Sequence, residues 1–276
     1  MNWFDALILG TVQGLTEFLP VSSSGHLEIG HTLLTQGAET TSVELAQQHV
    51  TFAIIVHAAT VLATLVVFFY EIMRLLRGTF ATPRWNEEKN YMMKIGVSMI
   101  PVFVVGMFFK DQVLGFFGNG LLLVGICLLI TALLLVFSEW VQKHRKSSGH
   151  DVRYVDALVI GLAQACAVLP GLSRSGATIA TGLLCGVRKE VVAQFSFLMV
   201  LIPIMGEAML DTWKIYSGPE KLDIGLFPAI VGFIAAFIAG CFACRFMIEI
   251  VRRQRLTWFA LYCAIVGTVA IISEFC

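Results

Sequence analysis

A carboxylate, three consecutive serines and a histidine lie close together near the start of an otherwise strongly apolar chain. They occur in the stretch GLTEFLPVSSSGH at residues 14–26, as Glu17, Ser22, Ser23, Ser24 and His26. A serine hydroxyl can act as a nucleophile, and a carboxylate or an imidazole can take or deliver its proton. Serines at a helix start are more often caps than nucleophiles, so a reactive site is predicted only if these groups converge with others.

A second polar stretch, PGLSRSGAT at residues 170–178, contains an arginine surrounded by hydroxyls. Arg174 is flanked by Ser173 and Ser175, and Thr178 follows one turn later. Hydroxyls, backbone amides at a helix start and a guanidinium group together favour binding of an oxyanion such as phosphate. The alternative is a structural ion pair, with Glu17 as the natural partner.

Gln13 and Glu17 lie four residues apart, so they share one face of a helix. Glu17 is the deepest acid of this segment and is a candidate general base or metal ligand, or a counter-ion to Arg174. These roles are compatible, because an anionic ligand that binds Arg174 would break its ion pair with Glu17. His31, His49 and His57 lack comparable neighbours in the sequence and are expected to be interfacial or packing residues.

The composition places these polar groups in a membrane. The chain has 276 residues, of which 57% are hydrophobic and 14% are charged, and its formal net charge is zero. The absence of a basic excess argues against nucleic acid as a partner. Apolar runs at 52–70, 95–109, 120–137, 191–206, 224–244 and 256–273 approach or reach the ~20 residues that a helix needs to cross a bilayer.

The two polar stretches belong to an internal duplication. Residues 5–25 align without a gap with residues 156–176, at an offset of 151. The identical positions are Asp5, Ala6, Leu7, Gly10, Gln13, Ser22, Ser24 and Gly25, matched by Asp156, Ala157, Leu158, Gly161, Gln164, Ser173, Ser175 and Gly176. Proline near the end of each copy, followed by serine and glycine, predicts a helix, a break and a second short helix.

Paired broken segments are typical of inverted-repeat membrane proteins. If both segments return to the side they entered, fifteen of the nineteen Lys and Arg residues lie on one side and three on the other, with Arg174 at depth. If all eight segments cross, the split is eleven to seven. Because cytoplasmic loops are rich in Lys and Arg, the first arrangement is favoured, with the basic side cytoplasmic and both termini extracytoplasmic.

The expected fold is therefore an all-α polytopic membrane protein with six transmembrane spans and two re-entrant helical hairpins. Residues 1–276 form a single membrane domain, in which 1–150 are the first inverted repeat and 151–276 the second. The first hairpin enters from outside and the second from the cytoplasm, so their tips should meet.

These motifs carry a family resemblance that covers essentially the whole chain. GTVQGLTEFLPVSSSGH together with PGLSRSGAT resembles the undecaprenyl-diphosphatase family of bacterial cytoplasmic membranes, also called bacitracin-resistance proteins. The resemblance implies a hydrolase that converts undecaprenyl diphosphate to the monophosphate, which recycles the lipid carrier for cell-wall synthesis. The family's acidic motif falls on Gln13 and Glu17, its Ser-Gly-His stretch on 23–26, and its arginine motif on 170–175.

The resemblance also implies roles and a cofactor. The predicted catalytic residues are Ser23 as nucleophile, Glu17 as base, Arg174 for the phosphate charge, and His26 as the alternative nucleophile or a proton donor. The predicted substrate-binding residues are Gln13, Ser22, Ser24, Ser173, Ser175 and Thr178. A divalent cation, Mg²⁺ or Ca²⁺, is implied, although the sequence shows no dense carboxylate cage and its ligands stay unknown.

Two questions stay open at this point. A transporter or flippase of lipid phosphate or another anion would use Arg174 and the hydroxyls but would need no nucleophile, and inverted repeats are common among transporters. A homo-oligomer is compatible with the sequence as well.

Overall fold

The computed structural model describes residues 1–35, 42–81, 83–109, 120–145, 149–217, 224–253 and 256–275. Within these ranges the chain is helical and contains no β-strand. The helices are α1 (Trp3–Phe18), α2 (Ser23–Thr35), α3 (Ser42–Val67), α4 (Phe69–Ala81), α5 (Glu87–Phe108), α6 (Gly120–His144), α7 (Tyr154–Cys166), α8 (Arg174–Cys185), α9 (Lys189–Ser217), α10 (Leu226–Arg252) and α11 (Thr257–Phe275).

Five of these helices contain segments long and apolar enough to cross a membrane. They are Glu87–Phe108, Leu121–His144, Lys189–Gly206, Leu226–Val251 and Thr257–Glu274. A sixth candidate combines Thr51–Val67 with Phe69–Ala81, which are bent by 71° at the break between them. The six predicted apolar runs fall on these helices, so the prediction of an all-α polytopic membrane protein is confirmed.

Both predicted broken segments are pairs of short helices. α1 and α2 contain 16 and 13 residues, and α7 and α8 contain 13 and 12, so each is shorter than the ~20 residues of a membrane span. The two helices of each pair contact each other, which makes each pair a hairpin. The turns contain Ser22 and Gly171, both with a positive φ, of 69° and 88°.

The first helix of each hairpin packs on a helix from the other half of the chain. α1 lies along α10, and α7 lies along α5. Gly10 faces the carbonyl oxygen of Gly232 in the first pair, and the matching Gly161 faces the carbonyl oxygen of Ser98 in the second. A Cβ atom at either glycine would overlap that carbonyl, so small residues permit the close approach of the two backbones.

The contact between α6 and α11 is reciprocal. A Cβ atom on Gly125 would lie 2.7 Å from the carbonyl oxygen of Gly267, and one on Gly267 would lie 2.8 Å from that of Gly125. Exchanged contacts of this kind are those that a duplicated chain would make. The division at residue 150 and the inverted orientation of the two halves in the membrane stay predictions.

Buried aromatic side chains pack around the end of α1. Phe18, at the end of α1, packs edge-on against Phe197 of α9, with ring centroids 6.0 Å apart. Phe68, at the α3–α4 break, lies at the same centroid distance from Phe197. All three rings are buried, so the end of α1 is fixed by packing beside the polar groups of the turn.

Candidate active site

The turns of the two hairpins meet, as the sequence predicts. The backbone N–H of Gly171 donates to Ser24 Oγ at 3.5 Å, and Ser175 Oγ donates to the carbonyl oxygen of Leu19 at 3.1 Å. Each hydrogen bond joins one hairpin to the other across about half of the sequence. The two polar stretches therefore form one cluster.

The serines of the two turns make the same hydrogen bonds in both hairpins. Ser22 Oγ accepts from the backbone N–H three residues later at 3.3 Å and lies 3.3 Å from Ser24 Oγ. Ser173 Oγ accepts from the backbone N–H three residues later at 3.1 Å and lies 3.3 Å from Ser175 Oγ. Ser22 and Ser173 thus act as N-caps of α2 and α8, in addition to any contact with a ligand.

Glu17 lies at the centre of the cluster. Its Oε2 accepts hydrogen bonds from Ser23 Oγ at 2.7 Å and from Gln13 Nε2 at 2.9 Å, and its Oε1 accepts from Arg174 Nη2 at 3.3 Å. The side chain of Glu17 is only 6% exposed. A buried carboxylate requires partners of this kind, because an uncompensated charge in an apolar interior is strongly unfavourable.

Three helices bring these groups together. Gln13 and Glu17 lie one turn apart on α1, which confirms that they share a helix face. Ser23 is the first residue of α2 and Arg174 is the first residue of α8. Both residues therefore follow directly on a hairpin turn, and the meeting of the turns places the hydroxyl and the guanidinium on the two oxygens of one carboxylate.

His57 of α3 is a fourth neighbour of Glu17, and the expectation that it is a packing or interfacial residue is wrong. Its Nε2 lies 3.7 Å from Glu17 Oε2. Its Nδ1 lies 2.8 Å from the carbonyl oxygen of Ala53 and donates to it, which leaves Nε2 directed at the carboxylate. A histidine within an otherwise apolar span is a signal that could have identified it. The side chains of His31 and His49 lie outside the described residues.

His26, the alternative nucleophile, is engaged at both ring nitrogens. Its Nδ1 lies 2.8 Å from the carbonyl oxygen of Ser22, and its Nε2 lies 2.7 Å from the hydroxyl of Tyr262. The two rings are stacked with their centroids 5.5 Å apart. A neutral imidazole has one lone pair on nitrogen, and here Tyr262 occupies it, so the geometry favours Ser23 over His26 as nucleophile.

Thr178 differs from the other predicted binding residues. Its hydroxyl donates to the carbonyl oxygen of Arg174 at 2.9 Å, and the side chain is fully buried. A threonine hydroxyl that bonds to a carbonyl of the preceding turn is satisfied within its own helix. The Thr178 hydroxyl is therefore engaged inside α8, whereas the sequence predicts direct contact with a substrate.

A narrow cavity lies beside Glu17 and Arg174, between α1, α3, α8 and α9. These two residues form its polar end, together with Ser175. The remainder of its wall is mostly apolar, with contributions from Phe18, Val61, Phe197, Val200, Leu201 and Ile204. The site thus combines a charged end with an apolar wall, a combination that suits an amphiphilic ligand.

The described residues do not form a cage for a metal ion. No three His, Cys, Asp or Glu side chains come together among them. Glu17 is the carboxylate of this site, and both of its oxygens already accept hydrogen bonds. A hard cation such as Mg²⁺ usually keeps several waters and binds one or two carboxylates with substrate phosphates, so the protein alone does not supply a complete ligand set.

Known proteins share this sequence over nearly its full length. A family profile described as "Bacitracin resistance protein BacA" matches residues 6–269. The chain is 54% identical to an undecaprenyl-diphosphatase of Bacteroides fragilis, over 99% of this chain and 98% of the relative. It is 52% identical to the undecaprenyl-diphosphatase of Bacteroides thetaiotaomicron, over 99% of this chain and 100% of the relative. It is 38% identical to the undecaprenyl-diphosphatase of Carboxydothermus hydrogenoformans, over 99% of this chain and 98% of the relative. The chain therefore belongs to the bacitracin resistance protein BacA family.

Proposed function

We propose that this protein is an undecaprenyl-diphosphate phosphatase, which releases phosphate from the lipid diphosphate and regenerates the monophosphate carrier for cell-wall synthesis. The observation that carries the proposal is the contact of Ser23 Oγ with Glu17 at 2.7 Å, beside Arg174. A hydroxyl paired with a carboxylate and adjacent to a guanidinium is the arrangement needed for phosphoryl transfer to serine. The names of the relatives support the choice of substrate.

In the first step, Ser23 Oγ attacks the terminal phosphorus of the diphosphate. The Oγ–H proton passes to Glu17, the Oγ–P bond forms, and the bond from phosphorus to the bridging oxygen breaks. The lipid monophosphate leaves with the electron pair of that bond. Before the second step, Glu17 returns the proton gained in the first step to solvent. It then takes a proton from the water that attacks phosphorus, the bond from water oxygen to phosphorus forms, and the Oγ–P bond breaks with its electron pair on Oγ. Oγ takes the proton from Glu17, and inorganic phosphate departs.

Arg174 stabilises the negative charge of the terminal phosphate during both steps. In the structure its Nη2 lies 3.3 Å from Glu17 Oε1. When the phosphate binds the guanidinium of Arg174, Glu17 loses one hydrogen-bond donor and becomes a stronger proton acceptor. Substrate binding thus prepares the base, because the same arginine serves the carboxylate first and the phosphate afterwards.

Gln13 acts as a positioning residue for Glu17, because its Nε2 donates to Oε2 at 2.9 Å. His57 Nε2 lies 3.7 Å from the same oxygen, beyond a hydrogen bond, and His57 helps to hold the carboxylate only as an imidazolium with a proton on both nitrogens. A carboxylate fixed in one orientation presents a defined lone pair to Ser23, and such preorganisation lowers the barrier without any new contact with substrate. His57→Gln should therefore lower kcat more than it raises KM.

The residues around the cavity, and not its volume of about 20 Å³, support an amphiphilic substrate. Glu17 and Arg174 are suited to a diphosphate and the neighbouring apolar side chains of α3 and α9 to the first prenyl units, but α3 or α9 would have to move apart to admit either group. A divalent cation, Mg²⁺ or Ca²⁺, would be held mainly by the diphosphate oxygens and by water, with Glu17 as the nearest protein carboxylate. When bound, it would neutralise phosphate charge.

We further propose that the protein lies in the bacterial cytoplasmic (inner) membrane with both termini outside the cytoplasm. The distribution of Lys and Arg among the loops supports this orientation. Single cysteines introduced at the exposed positions 143 and 225, in a cysteine-free background, should react with a membrane-impermeant reagent from the cytoplasmic and the outer side, respectively. The opposite pattern would contradict the orientation.

Phosphate release from purified variants tests the proposed activity. The wild-type protein and Ser273→Ala should release phosphate from the lipid diphosphate at similar rates, because Ser273 lies on α11 and bonds only its own helix at 2.9 Å. Ser23→Ala should bind the substrate and release none. Unchanged release by Ser23→Ala would overturn the proposal.

The same preparations distinguish a transporter from a hydrolase. A transporter or flippase of lipid phosphates would translocate the lipid diphosphate in vesicles and would leave it intact. It would also retain that movement in Ser23→Ala, since no nucleophile is required. Translocation without phosphate release by the wild-type protein would therefore favour the transporter.

A further inference from the structure

Helix α4 has an orientation and a surface unlike those of the spanning helices. It bends by 71° from the apolar part of α3 that precedes it. A helix that turns through such an angle at the end of a span runs nearly along the membrane surface. Its 13 residues are also less apolar than those of the spans, because they include two arginines and a glutamate.

The inner face of α4 is fixed to the protein. Leu75 is buried, and Ile72 and Thr79 lie on the same face. The carbonyl oxygen of Gly78 accepts a hydrogen bond from Asn86 Nδ2 at 2.7 Å, and Asn86 Oδ1 caps the start of α5. The corner between α4 and α5 is therefore a defined structure.

A second face of α4 is apolar and exposed. Phe69, Leu76 and Phe80 lie on one side of the helix, with exposed fractions of 54%, 37% and 81%. Trp85, two residues before the start of α5 at Glu87, is 67% exposed. Exposed aromatic side chains at the end of a membrane span are typical of the interface between headgroups and acyl chains, so this face is suited to lipid.

A third face, about 100° around the helix from the apolar one, is basic. Tyr70, Arg74 and Arg77 follow one another at spacings of four and three residues, and all three are exposed. They line an open groove of about 500 Å³ with Gly78, Asn86 and Glu88. Within the described part of the chain, no carboxylate lies within 4 Å of either guanidinium, so both remain available for an anion.

We propose that α4 lies in the membrane interface and that Arg74 and Arg77 bind the phosphate of an anionic phospholipid headgroup. The apolar face enters the acyl region, the inner face packs on the protein, and the groove between the arginines receives the headgroup. Two guanidiniums one turn apart match the oxygens of one phosphodiester, and each basic side chain near an anionic surface adds to the attraction. The groove is separate from the Glu17 cavity, and this binding does not depend on the phosphatase activity.

Lipid titration monitored by native mass spectrometry tests this site. Phosphatidylglycerol should bind the full-length protein in detergent more tightly than phosphatidylcholine. Arg74→Gln/Arg77→Gln should weaken phosphatidylglycerol binding about tenfold or more, since two charges near the headgroup are lost. Arg74→Lys/Arg77→Lys, which preserves the charges, should retain most of the binding.

A matched variant controls for net charge. Arg188→Gln/Arg253→Gln removes two exposed arginines that already pair with Asp151 and Glu249, and it should bind phosphatidylglycerol as the wild-type protein does. Equal binding by the Arg74→Gln/Arg77→Gln variant and the wild type, with unchanged thermal melting, would overturn the proposal. Displacement of the lipid by millimolar inorganic phosphate would also overturn it, because the site would then recognise free phosphate.

Discussion

The two hairpins use the same scaffold for different chemistry. In both, a serine caps the second helix and lies 3.3 Å from the serine two residues later. Between those serines, the first hairpin has Ser23 and the second has Arg174 at the equivalent position. Glu17 of the first hairpin is matched by Val168. The two turns are thus alike in the hydrogen bonds of their serines, and they differ in the groups that they carry: a hydroxyl beside a carboxylate in the first hairpin and a guanidinium in the second.

The paired glutamines show the same divergence. Gln13 and Gln164 occupy equivalent positions and are both buried. Gln13 Nε2 donates to Glu17 and its Oε1 has no partner among the described residues, whereas neither polar atom of the Gln164 side chain has one there. The second hairpin has Val168 where the first has Glu17, so Gln164 lacks the carboxylate that Gln13 contacts.

The largest effect is expected from the acid that only the first hairpin has. Glu17→Gln removes the proton acceptor of Ser23 but preserves the shape of the side chain, so kcat should fall about 10²–10⁴-fold while substrate binding persists. Phosphate release and lipid-diphosphate binding should be measured on the same preparation. Glu249→Gln, an exposed acid on α10, should leave both values unchanged. Substantial turnover by Glu17→Gln would show that Glu17 is not the general base.

Arg174 tests the contribution of the second hairpin. Arg174→Lys retains a positive charge but loses the planar fork that can contact two phosphate oxygens. We expect kcat/KM to fall about 10²–10³-fold, comparable with the loss of a transition-state donor. Phosphate-release kinetics on protein that still melts cooperatively provide the measurement. Near-normal turnover would mean that Arg174 serves only as a counter-charge for Glu17.

The equivalent glycines test whether the two halves pack alike. Gly10→Ala and Gly161→Ala each place a methyl group against a backbone carbonyl of the other half. Each should destabilise the protein by about 1–3 kcal/mol, as expected for overpacking, and thermal melting in detergent would report the loss. A strong effect at one position and none at the other would show that the two interfaces are not equivalent.

The smallest effects are expected at Gln13 and Gln164, where one substitution should lower activity and the equivalent one should not. Gln13→Leu should lower kcat about tenfold, because Glu17 loses one hydrogen bond of the strength typical for a charged group. Gln164→Leu should leave kcat unchanged and preserve or raise stability, since an unpartnered buried amide is replaced by an apolar group. Steady-state kinetics and thermal melting should be measured for both variants. Equal loss of activity in both would contradict a role for Gln13 that Gln164 lacks.

Much of the site could be predicted from local spacing. Gln13 and Glu17 are joined by helical periodicity. The prolines and serines predict the two turns, and the distribution of Lys and Arg among the loops predicts that the turns meet. Spacing does not bring His57 or Tyr262 to the site, because α3 and α11 place them there through tertiary packing, although a histidine in an apolar span marks His57 as unusual. The bend after Val67 is not predicted either, since the apolar run continues through Phe68 and Phe69 and the direction changes where α4 packs on α5.

Trapping of the covalent intermediate would show whether Ser23 is the nucleophile. Wild-type protein mixed with the lipid diphosphate should be quenched within one turnover, in acid and separately in alkali, and its peptides analysed by mass spectrometry. A phosphoryl group should be found on Ser23 in the acid quench, and no phosphorylated peptide should be found in Ser23→Ala or Glu17→Gln. Phosphate release in the first turnover without any label on Ser23, or with an acid-labile label on His26, would contradict it.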